Sequence, residues 1–369
     1  MTLVCPLTKR LLRKVTLDEA ERAISGNGPL RVARRSAAPA TPVGPTPEVL
    51  LRDDCRAAYP ITGGIPVLLG PEILAGPTDA LFFDLAAPFY AEAYVEMDHY
   101  NAVAGKEAQD IERSEGFACL SKLLSAPPDR ASRFPDPKEH WLDARFDCAA
   151  QYEAYTFVTP IAGQVVLQLG GKGIHAVKFL LAGAAEAWLV TPMIGEIACA
   201  QALAARAGVS HNLHCVAGIA EELPFQAGSF DVIYSGGCLH HTVVSAALAE
   251  ASRALKRNGR FAAIDPWRTP WYRIGIRVFG KREPNVFCKP LDKRRVSGLY
   301  EQFPGGLVQH HGSISRYPLI LLDRAGVRIS LRWCWRSSRV DDALCSLVPG
   351  LRALGGSVNV CGQKTVSAA

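Results

Sequence analysis

The middle of the chain alternates short apolar runs with stretches of helical periodicity. Each apolar run is bounded by turn residues, which predicts a buried strand. Each intervening stretch repeats its apolar residues every three or four positions, which predicts a helix. The predicted strands are 164–169, 186–190, 212–216, 230–235 and 259–264, and the predicted helices are 174–183, 194–207 and 242–257. This alternation predicts an α/β fold: a doubly wound, mostly parallel sheet with helices on both faces.

The flanking regions follow other patterns. Residues 1–70 consist of short apolar segments and turns, and the Pro-, Ala- and Gly-rich stretch 25–47 predicts a loop or a disordered insertion. From about 79 to 158 the periodicity is helical, with a Pro-rich break at 126–137, so residues 71–160 are predicted to form a helical cap or linker.

After Pro266 the alternation stops. Residues 267–325 mix aromatic and basic side chains and are predicted to form a lid inserted late into a domain that spans 161–369. Two later runs, GVRISLRWCW (326–335) and SVNVCGQKT (357–365), are predicted to be strands.

Composition limits the classes of protein that fit this pattern. The chain has 369 residues, 49% hydrophobic and 21% charged, which is typical of a globular protein of two or three domains. Its net charge of +6 is spread without dense Lys/Arg runs, so a dedicated nucleic-acid binder is disfavoured. The 11 cysteines form no CxxC pair, and we find neither a signal peptide nor a membrane span, so we expect reduced thiols and a cytoplasmic location.

The stretch VVLQLGGKGIH (165–175) carries the first chemical signal. Gly170, Gly171 and Gly173 follow a predicted strand and precede a predicted helix. Glycines there allow positive φ and close approach of a ligand, and the start of the helix offers free N–H groups. In an open α/β sheet, ligands bind outside the carboxyl ends of the strands. We therefore expect a cofactor at this loop.

A longer motif makes the family resemblance specific. The string AEELPFQAGSFDVIYSGGCLHHT (220–242), followed by a helix that ends in LKRNGR, resembles the class I S-adenosylmethionine-dependent methyltransferases. The resemblance implies a Rossmann-like sheet whose last strand, here SVNVCGQKT, is antiparallel. It also implies S-adenosylmethionine as cofactor. The cofactor-binding positions it implies are Gln168, Gly170, Gly171, Gly173, Thr191, Ile219, Ala220, Glu221 and Ser235.

The chain departs from that family at the acids. The cofactor presents an ammonium, two ribose hydroxyls and an adenine amino group, all donors that favour carboxylate acceptors. Where the family carries acids, this chain has Gln168, Thr191 and Ile219, although Glu196, Glu221 or Glu222 can stand in. Lys172 adds a positive charge in the loop. Two hypotheses stay open: a rearranged, weaker cofactor site, or a scaffold that has lost or replaced its cofactor.

Candidate catalytic residues follow the fourth and fifth predicted strands. His240 and His241 are suited to act as a general base, and Asp265 points to the same face. Tyr234 and Cys238 are predicted to lie on the same rim, without a nucleophilic role for Cys238.

The aromatic and basic segment PWRTPWYRIGIRVFGKREP (266–284) fits a lid helix, a lipid headgroup contact, or a grip on an anionic or aromatic substrate. Of these we favour the lid. We interpret Trp333 and Trp335 as strand packing, and His310 and His311 as residues of an exposed loop.

A second resemblance covers residues 1–70. LVCPLTKRLL with AAYPITGGIPVLL is similar to the small activator subunit of tRNA, rRNA and protein methyltransferases, which implies a small α+β domain used for structure or docking. Relatives with zinc use four cysteines. Here only Cys5 and Cys55 stand at such positions, with Thr8 and Arg52 in place of partners, so we expect no zinc and no other metal.

These observations favour methyl transfer from S-adenosylmethionine to an O, N or C nucleophile of a small molecule. One alternative is a catalytically lapsed binding or docking protein of the same fold that uses another ligand. A second alternative is a methyltransferase that acts on RNA or on a translation protein, since the small basic excess permits RNA. The sequence does not predict the acceptor or the oligomeric state.

Overall fold

The computed structural model describes residues 1–27, 30–32, 48–69, 73–75, 88–126, 134–270, 277 and 289–365. Within these residues a seven-stranded sheet forms the centre of the molecule, in the order β12-β13-β11-β10-β7-β8-β9. Its strands are β7 (Val165–Leu169), β8 (Glu186–Thr191), β9 (Leu213–Ala217), β10 (Phe230–Gly236), β11 (Leu255–Pro266), β12 (Leu307–His311) and β13 (Ser357–Gln363).

The pairing confirms the predicted mostly parallel sheet. Strands β9, β8, β7, β10 and β11 run parallel to one another, whereas β13 is antiparallel to both β11 and β12. The antiparallel strand is the predicted SVNVCGQKT segment. The five parallel strands lie where the apolar runs predicted them.

Alternation along the strands divides the core into two layers. Leu167 and Ile233 face a core with the helix α8 (Val244–Ala254), whereas Val166 and Val232 face the helices α5 (Cys148–Val158) and α6 (Ile174–Leu181). Successive side chains of a strand point to opposite faces, so both faces of this sheet are buried. The sheet is doubly covered, as predicted.

The predicted cap 71–160 contains helices from Pro88 onward, whereas its first described residues, 73–75, form a strand of the N-terminal sheet. One of the helices crosses the central domain closely. The helices of this region are α2 (Pro88–Gln109), α3 (Glu115–Leu124), α4 (Lys138–Trp141) and α5. Helix α2 packs against α7 (Ile194–Arg206), where the Gly195 N–H donates to Asn101 Oδ1 at 2.7 Å. A Cβ at Gly195 would lie 2.3 Å from the Asn101 carbonyl oxygen, so only glycine permits this approach.

The N-terminal region forms its own sheet. In the part that the structure describes, this region has six strands and one helix. The strands have the order β1-β3-β4-β6-β2, with β5 paired to β4. The elements are β1 (Leu12–Thr16), α1 (Leu17–Ser25), β2 (Leu30–Val32), β3 (Glu48–Arg52), β4 (Ala57–Thr62), β5 (Ile65–Pro66) and β6 (Ile73–Ala75). Thr16 caps α1 with a reciprocal bond to Glu19, which fixes where the helix begins.

This small sheet docks on the edge of the central sheet. The Leu68 N–H donates to the Ala217 carbonyl of β9 at 2.7 Å, and the Val4 N–H donates to the Pro224 carbonyl at 3.0 Å. Lys9 pairs with Glu250 of α8 at 2.8 Å. The edge strand β9 is therefore partly covered by the N-terminal region instead of being open to solvent.

Three predictions about the late part of the chain are wrong. The run 326–335 is not a strand: Ser330 caps a helix, α11 (Leu331–Leu347), by accepting from the Trp333 N–H. Trp333 is 67% exposed on that helix, and Trp335 packs edge-on against Tyr152, so neither packs in a strand. His310 and His311 are not in an exposed loop either. They belong to β12, and His311 is buried.

Residues 271–276 and 278–288 of the predicted lid lie outside the described residues. Of 267–325, the structure describes 267–270, 277 and 289–325, which include α9 (Gly298–Gln302), β12 and α10 (Arg316–Arg324). Strand β12 is part of the central sheet, so the segment contributes to the fold itself. Residues 33–47 of the predicted insertion also lie outside the described residues.

Candidate active site

The glycine loop after β7 adopts a backbone that side chains resist. Gly170, Gly171 and Gly173 have φ values of 64°, 73° and 77°, all in the left-handed region that glycine enters without strain. A Cβ at Gly170 would lie 2.3 Å from Cys238 Sγ, and one at Gly173 would lie 2.3 Å from Ala200 Cβ. The loop is thus fixed between the β10 end and helix α7.

Gln168 holds this loop in place. Its Nε2 donates to the Gly170 carbonyl at 2.7 Å, and its Oε1 accepts from the Ala176 N–H at 2.7 Å. The side chain is buried and does not line the adjacent cavity. Its amide ties the loop to the first turns of α6.

A cavity of about 210 Å³ opens at the carboxyl ends of β7, β8 and β10. It is lined by the glycine loop, the end of β8 and the loop after it, the first turn of α7, the segments at and after the ends of β9 and β10, and helix α2. The lining residues are Met97, Tyr100, Gly170, Gly171, Val190, Pro192, Met193, Glu196, Gly218, Ile219, Ala220, Glu221, Gly236, Gly237, Cys238, His241 and Thr242. Position and enclosure match the ligand crevice of an open α/β sheet.

The structure brings half of the predicted site residues together. The predicted residues on the cavity wall are Gly170, Gly171, Ile219, Ala220, Glu221 and His241. Those behind it are Gln168, Gly173, Thr191, Ser235, His240 and Asp265, all of them buried. Cys238 is on the wall as predicted. Tyr234, predicted for the rim, is fully buried and packs against Tyr155 and His175.

Glu196 is a carboxylate held between the end of β8 and the glycine loop. Thr191 ends β8, and its hydroxyl donates to Glu196 Oε2 at 2.5 Å, while the backbone of Gly171 also bonds the carboxylate. Glu196 is only 5% exposed. Burial raises its pKa to about 7, although the bond from Thr191 and the charge of Lys172 act in the opposite direction.

A second carboxylate lies across the cavity. Glu221 accepts from the Val243 N–H at 2.9 Å, and burial raises its pKa. Glu222 does not line the cavity, and its carboxylate faces Lys9 and Glu250. Of the three acids that were open as substitutes, Glu196 and Glu221 face the cavity.

Lys172 has a partner that the sequence did not predict. Its Nζ forms an ion pair with Glu107 of helix α2, and it is not part of the cavity wall. The charge of Lys172 is therefore paired with an acid of helix α2.

The two histidines have different surroundings. His240 is buried, and Asp265 Oδ1 accepts from its N–H at 2.9 Å and lies 2.7 Å from its Nδ1. His241 lines the cavity, and its ring contacts Tyr100 edge-on with 6.1 Å between centroids. Only His241 is placed to meet a molecule in the cavity, and the His240–Asp265 pair lies directly behind it.

Cys238 contributes shape and not reactivity. Its thiol packs against Gly170, and burial together with Glu196, Asp265 and Glu221 raises its pKa well above the usual value. A thiol held neutral is a poor nucleophile.

Sequence reasoning missed the contribution of the cap. Met97 and Tyr100 of α2 cover the cavity, although the helical periodicity of 79–158 was the only signal they gave. Their position depends on the close crossing at Gly195. Thr242, after the histidines, was also missed.

Neither a metal centre nor a membrane span is visible in the described residues. They contain no group of three or more His, Cys, Asp or Glu side chains arranged to hold a metal ion. Cys5 is buried and its thiol lies 3.1 Å from the Tyr59 hydroxyl. None of the described helices combines the length and the apolar character that crossing a bilayer requires.

Comparisons with known proteins agree with this geometry. Residues 167–263 match the family model of a methyltransferase domain. Over 58 residues the chain is 47% identical to the ubiquinone/menaquinone biosynthesis C-methyltransferase UbiE of Rhizobium johnstonii. That stretch is 15% of this chain and 22% of that protein, so the similarity spans about a fifth of the curated relative.

Solved structures with similar folds cover more of the chain. The [4+2]-cyclase SpnF is 20% identical, with a TM-score of 0.41 over 58% of this chain and 80% of that one. The geranyl diphosphate C-methyltransferase of Streptomyces coelicolor A3(2), solved with S-adenosyl-L-homocysteine, is 16% identical, with a TM-score of 0.43 over 65% and 86%. The family match over residues 167–263, with the strand order of the central sheet, gives this part of the chain the fold of the S-adenosylmethionine-dependent methyltransferases.

Proposed function

We propose that the protein transfers a methyl group from S-adenosylmethionine to an O, N or C nucleophile of a small molecule. One observation carries the proposal: a positive-φ glycine loop and a buried carboxylate, Glu196, face the same cavity at the carboxyl ends of the parallel strands. The cavity therefore combines a close backbone approach with an acceptor for hydroxyl donors.

The residues present fit the cofactor despite the missing acids. Glu196 would accept from the ribose hydroxyls, because it is the carboxylate held between the end of β8 and the glycine loop. Glu221 would accept from the amino group of the adenine or the amino acid part. Bound there, the cofactor supplies an activated sulfonium methyl group. We propose that the acids of this site stand at unusual positions but still supply the carboxylate acceptors that the cofactor needs.

The chain's own residues supply positioning and proton transfer. His241 lies on the cavity wall and would accept the proton of a hydroxyl acceptor. His240 and Asp265 act as positioning residues, since the buried pair fixes the turn that presents His241. Met97 and Tyr100 of the cap exclude water from the cavity.

The remaining parts of the chain support this site in the same proposal. Residues 1–70 form an activator-like unit, which covers the β9 edge. Residues 71–160 form the cap over the cofactor, and 161–369 form the methyltransferase domain with its late insertion.

Titration calorimetry with S-adenosylmethionine and S-adenosylhomocysteine tests the proposal, alongside mass spectrometry of any molecule that co-purifies. We expect one site with micromolar affinity for both. Absence of binding up to millimolar concentration, or a different co-purified ligand, would overturn methyl transfer and favour the lapsed binding protein. Salt-sensitive RNA binding would instead favour the RNA methyltransferase.

A further inference from the structure

A groove leads out of the cofactor cavity along one side of the central sheet. Thr242 is on the cavity wall and also lines a concavity of about 530 Å³. That concavity shares Asp292 and Arg294 with a third one of about 700 Å³. Neighbouring spaces thus share lining residues, and we call the row of concavities from Thr242 past Arg294 to Arg352 the groove.

The groove is rich in cations. Arg268, Lys293, Arg294 and Arg352 line its outer part, and Asp292 is the acid among the described lining residues there. Asp292 lies 3.6 Å from Arg268. Among the described residues, Lys293, Arg294 and Arg352 have no carboxylate within ion-pair distance. Arg352 is near Glu153, whose pKa its charge helps to lower, so Lys293 and Arg294 are the cations with no nearby acid in this part of the structure.

A histidine at the base of the outer groove adds an independent sign of a missing ligand. The Nδ1 of His310 is buried and has no hydrogen-bond partner among the described residues. Its ring packs edge-on against Trp267 with 4.5 Å between centroids. The pKa of His310 is lowered by burial and then by the nearby charges of His311, Lys293 and Arg352. Positive charges accumulated around an unused polar atom are typical of an anion subsite.

We infer that the groove binds an anionic group of the methyl acceptor, a phosphate or a carboxylate, while the nucleophile of the same molecule lies beside His241. The inference rests on the proposed function and adds the substrate class to it. An acceptor of this kind reaches from Thr242 to Arg294 and Arg352. Guanidinium groups suit it because they bind phosphate and carboxylate through paired hydrogen bonds.

The test is binding of inorganic pyrophosphate to the full chain and to the variants Arg294→Glu and Arg352→Glu. Both arginines are exposed, so charge reversal should leave the fold intact. The matched control is Arg13→Glu, an exposed arginine on the N-terminal sheet. We expect each groove variant to weaken pyrophosphate binding at least about fivefold. The control should bind like the unaltered protein.

S-adenosylhomocysteine affinity, measured on the same proteins, separates this inference from the proposed function. It should stay within about twofold in every variant. Equal pyrophosphate affinity in all proteins, or none in the unaltered protein, would overturn the groove as an anion subsite. If the unaltered protein binds pyrophosphate but not S-adenosylhomocysteine, the proposed function is overturned and the groove remains an anion site.

A vesicle arm distinguishes a soluble acceptor from a lipid headgroup. Sedimentation with phosphatidylglycerol vesicles, repeated with Arg294→Glu, should show no dependence on the groove. If the protein binds vesicles only when Arg294 is present and does not bind pyrophosphate, the inference of a soluble acceptor is wrong.

Discussion

The cofactor cavity and the groove beside it share an edge of the sheet but have opposite electrostatics. The cavity is about 210 Å³ in volume and faces two carboxylates, the buried Glu196 and the half-buried Glu221. The groove is open and faces cationic side chains. The difference favours different ligands in the two regions. The carboxylates of the cavity suit a cationic molecule rich in hydrogen-bond donors, and the cations of the groove suit an anionic group.

The two regions also come from different parts of the chain. The cavity is built from strand ends and the turns that follow them, so its shape depends on backbone. The groove is built from segments near 268, 292 and 352, where exposed side chains decide the charge. Substitutions in the cavity should therefore change ligand affinity strongly. Substitutions in the groove should change it less, and that change should depend on the salt concentration.

The largest effect is expected from Gly170→Ala. The added Cβ would lie 2.3 Å from Cys238 Sγ, and the positive φ costs a further ~1–2 kcal/mol. We expect calorimetry to show that S-adenosylhomocysteine affinity falls about a hundredfold or more.

Gly208→Ala is the control, because Gly208 has a φ of 71° with open space around it. The double variant Gly170→Ala/Cys238→Gly removes the overlap and should recover part of the affinity. If Gly170→Ala binds like Gly208→Ala, the loop does not shape the cofactor site.

The next effect is expected from Glu196→Gln. An uncharged amide keeps the size of the side chain but loses a charged acceptor, which contributes ~1.5–3 kcal/mol. S-adenosylhomocysteine affinity should fall about 10- to 100-fold by calorimetry. The control is Glu222→Gln, because Glu222 adjoins Glu221 in the sequence but does not line the cavity. This variant should bind S-adenosylhomocysteine like the unaltered protein. Equal losses in both variants would contradict the role of Glu196.

The pH dependence of binding sharpens the same point. Burial raises the pKa of Glu196 to about 7, so the free protein holds the carboxyl largely protonated below that pH. Hydroxyl donors favour the ionised form, so binding releases a proton and affinity rises with pH up to about 7, then levels off. The rise should reach at most about tenfold per pH unit.

Lys172 and His241 also act on this carboxyl, so the variant Glu196→Gln separates their effects. Its affinity should depend less on pH than that of the unaltered protein. A pH profile that survives unchanged in this variant would assign the dependence to another group.

The smallest effect is the response to salt, and it differs between the two regions. Exposed charges are screened, since the Debye length falls from about 10 Å at 0.1 M to about 3 Å at 1 M salt. Pyrophosphate affinity should therefore drop several-fold between low salt and about 0.5 M NaCl, whereas S-adenosylhomocysteine affinity in the enclosed cavity should change less than about twofold. If salt weakens the binding of both ligands equally, the groove and the cavity do not differ in their electrostatics as described.

The sequence predicted the parts of the fold that depend on local pattern. The parallel strands and their glycine loop follow from apolar runs and turn residues, and the antiparallel SVNVCGQKT strand followed from the resemblance. Helix α11 was missed because Leu331, Trp333 and Trp335 alternate as in a strand. Its buried residues Cys334, Asp341 and Cys345 are spaced as on a helix, and the Ser330 cap sets its start.

The candidate site was less predictable, because it depends on contacts between distant residues. Thr191 and Glu196 are five positions apart, and only the turn into α7 brings their oxygens together. The pairing of Lys172 with Glu107 joins positions 65 residues apart. No pattern within a strand or a helix encodes such contacts. The sequence therefore showed Gln168, Thr191 and Ile219 at the acid positions of the family it resembles, but not that Glu196 lies against Thr191.

The docking of the N-terminal sheet on β9 has a consequence for how the chain folds. Lys9 pairs with a residue 241 positions later, and Val4 and Leu68 bond to carbonyls that also come much later in the chain. Contacts of such long separation form slowly, because the connecting chain must first be closed into a loop. The apolar side of the N-terminal sheet therefore stays uncovered until the central sheet exists. We expect the newly made chain to depend on chaperones during that interval.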